Sequence, residues 1–231
     1  MTRGLRLLII GKQGSGKGTL CAGFSRHFEI PHIATGDALR AAVARKTAVG
    51  LEAKSYMDVG KLVPDELVMR IVDELFEEGD LRNSGFLFDG FPRTIHQADL
   101  LDVLLAPEGI DAVIDLEVET DIVVGRLSSR RVCTNPECGA IYSLSEPPKV
   151  RWTCDLCGSP VRQREDDRVE MILQRLADYE NLTAPLISRY ERAGRLITVD
   201  AKGTPDEVFA TALGGLVARE ITPDVPQAFP K

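Results

Sequence analysis

The chain alternates between short apolar runs and longer stretches whose apolar positions recur at helical spacing. Leu5-Arg6-Leu7-Leu8-Ile9-Ile10 is nearly continuous in apolar character, the mark of a strand buried on both faces of a parallel sheet. It ends in a glycine-rich turn, and a helix is predicted from about Gly16 to Phe28. Further strand candidates are His32-Ile33-Ala34-Thr35, Gly85-Phe86-Leu87-Phe88, Ala112-Val113-Ile114-Asp115-Leu116 and Leu196-Ile197-Thr198-Val199. Between them, Leu67, Arg70, Ile71, Glu74 and Leu75 recur at turn spacing within Glu66 to Glu78. Val169, Ile172, Leu173, Leu176 and Tyr179 do the same behind Asp166-Asp167, an acidic pair suited to a helix N-terminus. Five strands alternating with helices predict an α/β fold: a five-stranded, doubly wound parallel sheet with surrounding helices. Its site is expected at the carboxyl ends of the strands.

The rhythm breaks between Arg131 and Arg168, a segment rich in Cys, Pro, Gly and Arg. It reads as an inserted minidomain too small to build a core of its own. The expected organisation is therefore a core of residues 1–34, 64–130 and 169–220, an insert at 131–168, and a frayed tail at 221–231. No internal repeat or low-complexity tract interrupts it.

Composition narrows the field. The 231 residues include 28 Lys plus Arg and 35 Asp plus Glu, a formal charge of −7, which disfavours sequence-independent nucleic-acid binding. No apolar run approaches the ~20 residues that cross a bilayer. The first residues lack the long apolar stretch and cleavage site of a signal peptide, so a cytoplasmic protein is expected. Four of the five cysteines fall between Cys133 and Cys157, which suggests a metal site in a reducing compartment.

Gly11-Lys12-Gln13-Gly14-Ser15-Gly16-Lys17-Gly18-Thr19 follows the first strand and opens a helix. Successive backbone N–H groups there can curl round a phosphate, and the helix N-terminus adds partial positive charge. Lys17 supplies a mobile ammonium for the outer phosphates. A generic glycine-rich turn is the plain alternative, but the spacing and the strand–turn–helix context favour a P-loop. Gly18 follows the lysine where Ser or Thr is usual, and the hydroxyl comes one place later at Thr19. Magnesium would then be held mainly by phosphates and water.

Cys133-x4-Cys138 and Cys154-x2-Cys157 are separated by 15 residues. Paired thiolates on two turns match a tetrahedral Zn²⁺ site, with no protein position left open, hence structural. Two disulfides are the alternative. Cys21 falls in a helical apolar pattern as a core residue.

Three more clusters lie near predicted strand ends: Thr35-Gly36-Asp37-Ala38-Leu39-Arg40, Gly60-Lys61-Leu62-Val63-Pro64-Asp65-Glu66, and Asp89-Gly90-Phe91-Pro92-Arg93-Thr94. A fourth group, Arg126, Arg130, Arg131, Arg164 and Arg175, surrounds the insert. Residues 126 to 175 carry eight Arg and one Lys against seven acids, reversing the acidic balance of the chain. Guanidinium forks bind phosphate oxygens bidentately, which suits several phosphoryl groups in one site. Arg131 reads equally as a solvated surface arginine, and Asp89 equally as a local backbone cap or an orienter of magnesium-bound water.

Together these motifs, with Arg164-Glu165-Asp166-Asp167, resemble the adenylate kinase family in its long form with a zinc-bearing lid, over about Leu5 to Leu216. The resemblance implies a P-loop NTPase fold and Mg²⁺-dependent, reversible phosphoryl transfer from ATP to AMP giving two ADP. It implies an AMP-binding segment at 35–63 and a lid at 131–168 that close over the nucleotides. Gly14, Ser15, Gly16, Lys17, Gly18, Thr19, Arg126, Arg130 and Gly203 correspond to ATP-binding positions, with Arg126 against the adenine. Thr35, Gly36, Arg40, Lys61, Leu62, Val63, Gly90, Arg93, Gln97, Arg164 and Arg175 correspond to AMP-binding positions. Lys17, Arg93, Arg130, Arg164 and Arg175 correspond to the catalytic set, and Cys133, Cys138, Cys154 and Cys157 to the zinc ligands. Related pyrimidine monophosphate kinases usually carry Ala and Asn where Thr35 and Gln97 stand here, so AMP is the favoured acceptor. A UMP/CMP or other nucleoside monophosphate kinase, or a non-catalytic nucleotide-binding zinc-ribbon protein, are the alternatives. A monomer is expected, with no nucleic-acid or membrane partner.

Overall fold

The computed structural model describes residues 4–136 and 138–221. The expected tail therefore lies almost wholly outside the described residues. In chain order the first elements are β1 (Arg6–Gly11), α1 (Lys17–Phe28), β2 (His32–Ala34), α2 (Thr35–Ala44), α3 (Ala48–Met57), α4 (Asp65–Glu78) and α5 (Leu81–Ser84). Next come β3 (Phe86–Asp89), α6 (Ile95–Leu105), β4 (Ala112–Glu117) and α7 (Thr120–Ser129). The insert contributes β5 (Arg131–Cys133), β6 (Ile141–Tyr142) and β7 (Val161–Arg162). The chain then returns through α8 (Val169–Asp178), α9 (Pro185–Arg192), β8 (Leu196–Asp200) and α10 (Pro205–Val217).

Five strands form the expected parallel sheet in the order β2-β3-β1-β4-β8. The central strand explains its own sequence. Leu8 and Ile10 of β1 enter a cluster with residues of α2, α3, α4, α6 and α9. Leu7 and Ile9 enter a second cluster with residues of α1, α7, α8 and α10. Alternate side chains point to opposite faces and both faces are covered, so no polar alternation remains. Each fully buried Leu or Ile there contributes ~1.5–3 kcal/mol.

Two local expectations are corrected. Thr35, read as the end of a strand, instead opens α2 and is buried. Asp166 and Asp167 do not cap α8; they lie in a short 3-10 turn, and α8 begins at Val169 without a side-chain cap. Their carboxylates are drawn to arginines instead, which hold them more strongly than backbone N–H groups would.

The insert is more ordered than its composition implied. It folds as a three-stranded antiparallel sheet, β6-β5-β7. Among the described residues its buried apolar cluster consists of Cys133, Cys154 and Val161, with Cys138, Ala140, Tyr142 and Trp152 packed around them. Arg131 is partly buried at its base: Nη1 donates to the carbonyls of Ser128 (3.1 Å) and Arg130 (2.7 Å), and the guanidinium lies 5.8 Å from the Trp152 ring centroid.

Candidate active site

The motif-bearing turns that follow strands leave the same end of the sheet, because the five strands are parallel, while the motif at 60–66 joins α3 to α4. The glycine-rich loop follows β1, Thr35 follows β2, Asp89 closes β3 with Gly90 to Arg93 after it, and Gly203 lies just past β8. Local sequence shapes the loop. Gly14 has φ +82° and Gly16 has φ +101° as the residue before α1, conformations that side chains other than glycine resist. A Cβ on Gly14 would also meet Leu127 at 2.9 Å. A loop curled in this way at a helix N-terminus is the backbone arrangement that can cradle a phosphate, although the Ser15 and Thr19 N–H groups donate to the Lys12 and Gly16 carbonyls at 3.1 Å here.

Lys17 Nζ donates to the carbonyls of Gly11 (2.9 Å) and Lys12 (2.8 Å). Desolvation pushes its pKa down to about 8, opposed by Asp89 and reinforced by Arg93 and Arg175. Asp89 shows the converse. Burial works to raise it, but the facing His32 ring, Lys17 and Arg93 outweigh that and keep the carboxyl below its ordinary value. A Cβ on Gly18 would stand 3.6 Å from Asp89 Oδ2, so the residue that departs from the usual P-loop faces this carboxylate. Arg126 spans the far side, with Nη1 3.5 Å from the Gly14 carbonyl and Nη2 3.1 Å from that of Ala201. Gly203 precedes a capping box in which Thr204 and Glu207 close the start of α10.

A separate cavity of about 590 Å³ opens beside the loop. Its wall includes Thr35, Gly36, Arg40, Lys61, Leu62, Val63, Gly90, Arg93, Gln97, Arg164 and Arg175. These are all the residues that the sequence assigns to the acceptor side, drawn from four separate segments. Glu165, Asp166 and Arg168 of the insert and Met171 of α8 line the same space, so the end of the insert borders it together with α2 and α3. Arg164 Nη2 lies 3.9 Å from Asp37 Oδ1, and Asp37 also accepts a 3.1 Å bond from Arg40 Nε.

The guanidiniums crowd one another. Desolvation and the neighbouring Arg175 push Arg93 down to about 10. Arg164 is lowered by burial and by Arg40 and Arg130. Arg175 is lowered mainly by burial although Asp166 accepts a 2.5 Å bond from it. Cations held together with too few carboxylates create a positive potential, the signature of an anion site. Arg130 is the exception. It forms a bidentate pair with fully buried Asp167, 2.8 Å from Nε to Oδ2 and 2.6 Å from Nη2 to Oδ1, and it does not line the cavity.

Gln97 is oriented by Asp65, which the sequence places in the cluster at 60–66 without assigning it a role. Its Oε1 accepts from the Arg93 backbone N–H (2.7 Å) and its Nε2 donates to Asp65 Oδ1 (2.7 Å). Asp65 Oδ2 accepts from Thr94 Oγ1 (2.7 Å), and Thr94 caps α6. Asp65 lies 32 residues from Gln97, so no local signal announces the contact. Thr183 likewise donates to the Arg93 carbonyl at 2.8 Å, and Arg93 Nε donates to that of Gly90 at 2.8 Å.

On the other flank of the loop a cavity of about 430 Å³ is lined by Lys12, Asp115, Glu117, Tyr179 and Glu180 among others. Asp115 is 1% exposed and neither carboxylate oxygen has a hydrogen-bond partner. Burial, and then Glu117, push its pKa up to about 6.

In the insert all four sulfurs lie within 4.8 Å of one another. Cys133 and Cys157 are 3.4 Å apart and Cys138 and Cys154 3.6 Å. A disulfide would bring sulfurs to ~2.05 Å, and all four cysteines are free thiols. Four ligands on bonds of ~2.3 Å to a tetrahedral centre stand ~3.8 Å apart, so the cluster fits a metal. The longer first spacing is accommodated by a turn in which Cys138 and Gly139 N–H donate to the Asn135 carbonyl, with Gly139 at φ +58°. Tyr142 OH lies 3.4 Å from Cys154 Sγ and accepts from the Asp155 N–H at 2.8 Å. Among the described residues no helix is long and apolar enough to cross a membrane.

A profile of the adenylate kinase family matches residues 9–195. The chain is 42% identical to an adenylate kinase of Streptomyces avermitilis, over 92% of this chain and 97% of that protein. It is 46% identical to an adenylate kinase of Carboxydothermus hydrogenoformans, over 92% and 99%, and 45% identical to one of Caldanaerobacter subterraneus, over 89% and 93%.

Proposed function

The chain belongs to the adenylate kinase family and is a phosphotransferase; on that premise we propose that it moves the terminal phosphoryl group of ATP to AMP, reversibly, giving two ADP. An oxygen of the AMP phosphate attacks the γ-phosphorus while the bond to the β-phosphate oxygen breaks, and ADP departs. One observation carries the reading. A backbone-built phosphate loop and a separate guanidinium-lined cavity face each other, with Arg93 and Arg175 close enough to both for their charges to bear on Lys17.

In this reading Gly14 to Thr19 hold the donor phosphates, with Arg126 and Gly203 beside its base. Thr35, Gly36, Lys61, Leu62, Val63, Gly90 and Gln97 hold the acceptor base, and Arg40 and Arg93 its phosphate. Lys17, Arg130, Arg164 and Arg175 gather round the transferring group. Positioning and charge stabilisation perform the catalysis. A unit charge pair ~4 Å apart gains ~4 kcal/mol at an effective dielectric near 20. No protein base is required, because the AMP phosphate is an anion at neutral pH. Magnesium accompanying ATP would neutralise phosphate charge, and ionised Asp89 is the protein group that fits its water shell.

Residues 131–168 act as a lid and 35–63 as the acceptor-side flap over a core of 1–34, 64–130 and 169–220, and their closure excludes water as a competing acceptor. Four thiols in so small a core fit structural Zn²⁺, whose binding is worth ~10–16 kcal/mol in zinc-finger-like sites. The reduced cysteines suit a cytoplasmic setting, and we expect a monomer. Coupled assays with AMP, UMP, CMP and GMP test the acceptor: strong preference for AMP is expected, and equal rates with AMP and UMP would overturn the assignment.

A further inference from the structure

Behind Lys17, three side chains from three elements converge, and two of them have no part in the phosphoryl transfer described above. Cys21 lies one turn beyond Lys17 on α1 and is fully buried. His32 opens β2, and Asp89 closes the neighbouring strand β3. The Cys21 Sγ, a ring nitrogen of His32 and a carboxylate oxygen of Asp89 lie within 4.8 Å of one another.

The His32 ring is the informative member. Its Nε2 is buried, has no hydrogen-bond partner, and stands 3.6 Å from Asp89 Oδ2. That is too long for a hydrogen bond, and leaving a buried polar nitrogen unpaired is unfavourable. It is close to the ~3.4 Å that separates two ligand atoms on a tetrahedral centre with bonds of 2.0–2.1 Å. A thiol, an imidazole and a carboxylate make a donor set for a borderline-soft cation, whereas Mg²⁺ and Ca²⁺ take oxygen ligands. Three protein ligands leave a fourth position open to water. Entry is from the His32 and Asp89 side, since their side chains are 26% and 16% exposed while Cys21 forms the floor.

We infer that Cys21, His32 and Asp89 form a second metal site, selective for Zn²⁺-like divalent cations and separate from the four-thiol cluster of the insert. On binding, Cys21 releases its thiol proton to solvent, and thiolate plus carboxylate neutralise the two charges of the cation. Asp89 is then withdrawn as counter-ion from Lys17 and from magnesium-bound water, so occupancy inhibits turnover. The inhibition rests on the phosphotransferase reading; the site does not.

The test starts from protein whose insert is already loaded with zinc, dialysed to equilibrium against micromolar Zn²⁺ in millimolar Mg²⁺. Two zinc ions per chain are expected, falling to one in Cys21→Ala and in His32→Gln, with thermal unfolding confirming that each variant folds. Replacing only the second equivalent by Co²⁺ should give a thiolate-to-cobalt charge-transfer band in the unmodified protein, a readout that needs no variant. One zinc per chain and no such band, or a second equivalent undiminished in both variants, overturns the site. Added Zn²⁺ should inhibit the AMP reaction at least about tenfold more weakly in Cys21→Ala. Binding without inhibition would remove the regulatory consequence alone, and no AMP-dependent turnover before Zn²⁺ is added would instead sink the phosphotransferase reading.

Discussion

The two regions proposed to bind phosphates in this molecule are built by opposite means. The proposed phosphate loop is nine consecutive residues whose backbone would do the binding, and its shape follows from glycines at positive φ. The acceptor cavity is a wall of side chains from four segments, and its shape follows from how α2, α3, α6 and the end of the insert pack at one end of the sheet. A backbone site is paid for locally and tolerates change elsewhere; a side-chain site depends on partners far away, such as Asp65 for Gln97. The contrast extends to charge: of the two lysines in the loop, Lys17 has its pKa brought down to about 8, whereas the cavity crowds several guanidiniums.

The sharpest break of that contrast is Lys17→Ala, which removes the one side chain on which the loop relies. Turnover should fall about a thousandfold, the range seen when a preorganised charge-stabilising donor is lost, while AMP affinity measured by titration stays within about threefold. Next is Arg130→Ala, expected to lower turnover about a hundredfold with ATP affinity little changed. Asp167→Ala separates phosphate binding from latching, because an arginine that only anchors Asp167 would give the same loss in both variants and shift ATP affinity equally.

Asp115 sharpens the electrostatic half of the comparison. Its folded pKa of about 6 is above its unfolded value, so the fold favours the protonated form. Stability should therefore fall as pH rises from about 4 to about 6 and stay lowered above that. Asp115→Asn should flatten this window and stabilise the protein near pH 7 by on the order of 2 kcal/mol, measured by urea unfolding at several pH values.

Smaller still, Asp65→Ala should raise the KM for AMP about tenfold, or ~1.4 kcal/mol, and leave that for ATP unchanged. An equal rise for both would mean that Asp65 supports the fold rather than Gln97. The smallest effect is a proton count. Phosphates should restore the ordinary pKa of Lys17, so ATP binding should take up as much as one proton between pH 8 and 10 and none from Lys17 near pH 6.5. The dependence of binding heat on buffer ionisation measures it.

The glycine-rich loop, the five buried strands and the four clustered cysteines were legible because each is a local pattern: spacing, apolar continuity and paired thiols survive in one dimension. Asp65 and His32 were not legible. Their partners are distant in sequence, and an acidic residue in the first turn of a helix or a lone His at a strand start carries no signal of them. Asp166 and Asp167 misled for the same reason, since an acidic pair before a helix looks like a cap until arginines arrive from elsewhere.

By itself the amino-acid sequence determined the sheet, the glycine-rich loop and the four-cysteine cluster of the insert, because backbone conformation and short-range chemistry suffice for these. Only the tertiary structure decided that Arg130 pairs with Asp167, that Asp65 orients Gln97, and that Cys21, His32 and Asp89 meet behind Lys17. Those contacts are set by the packing of whole elements, and a change of an ångström or two in that packing would undo them without altering any local pattern.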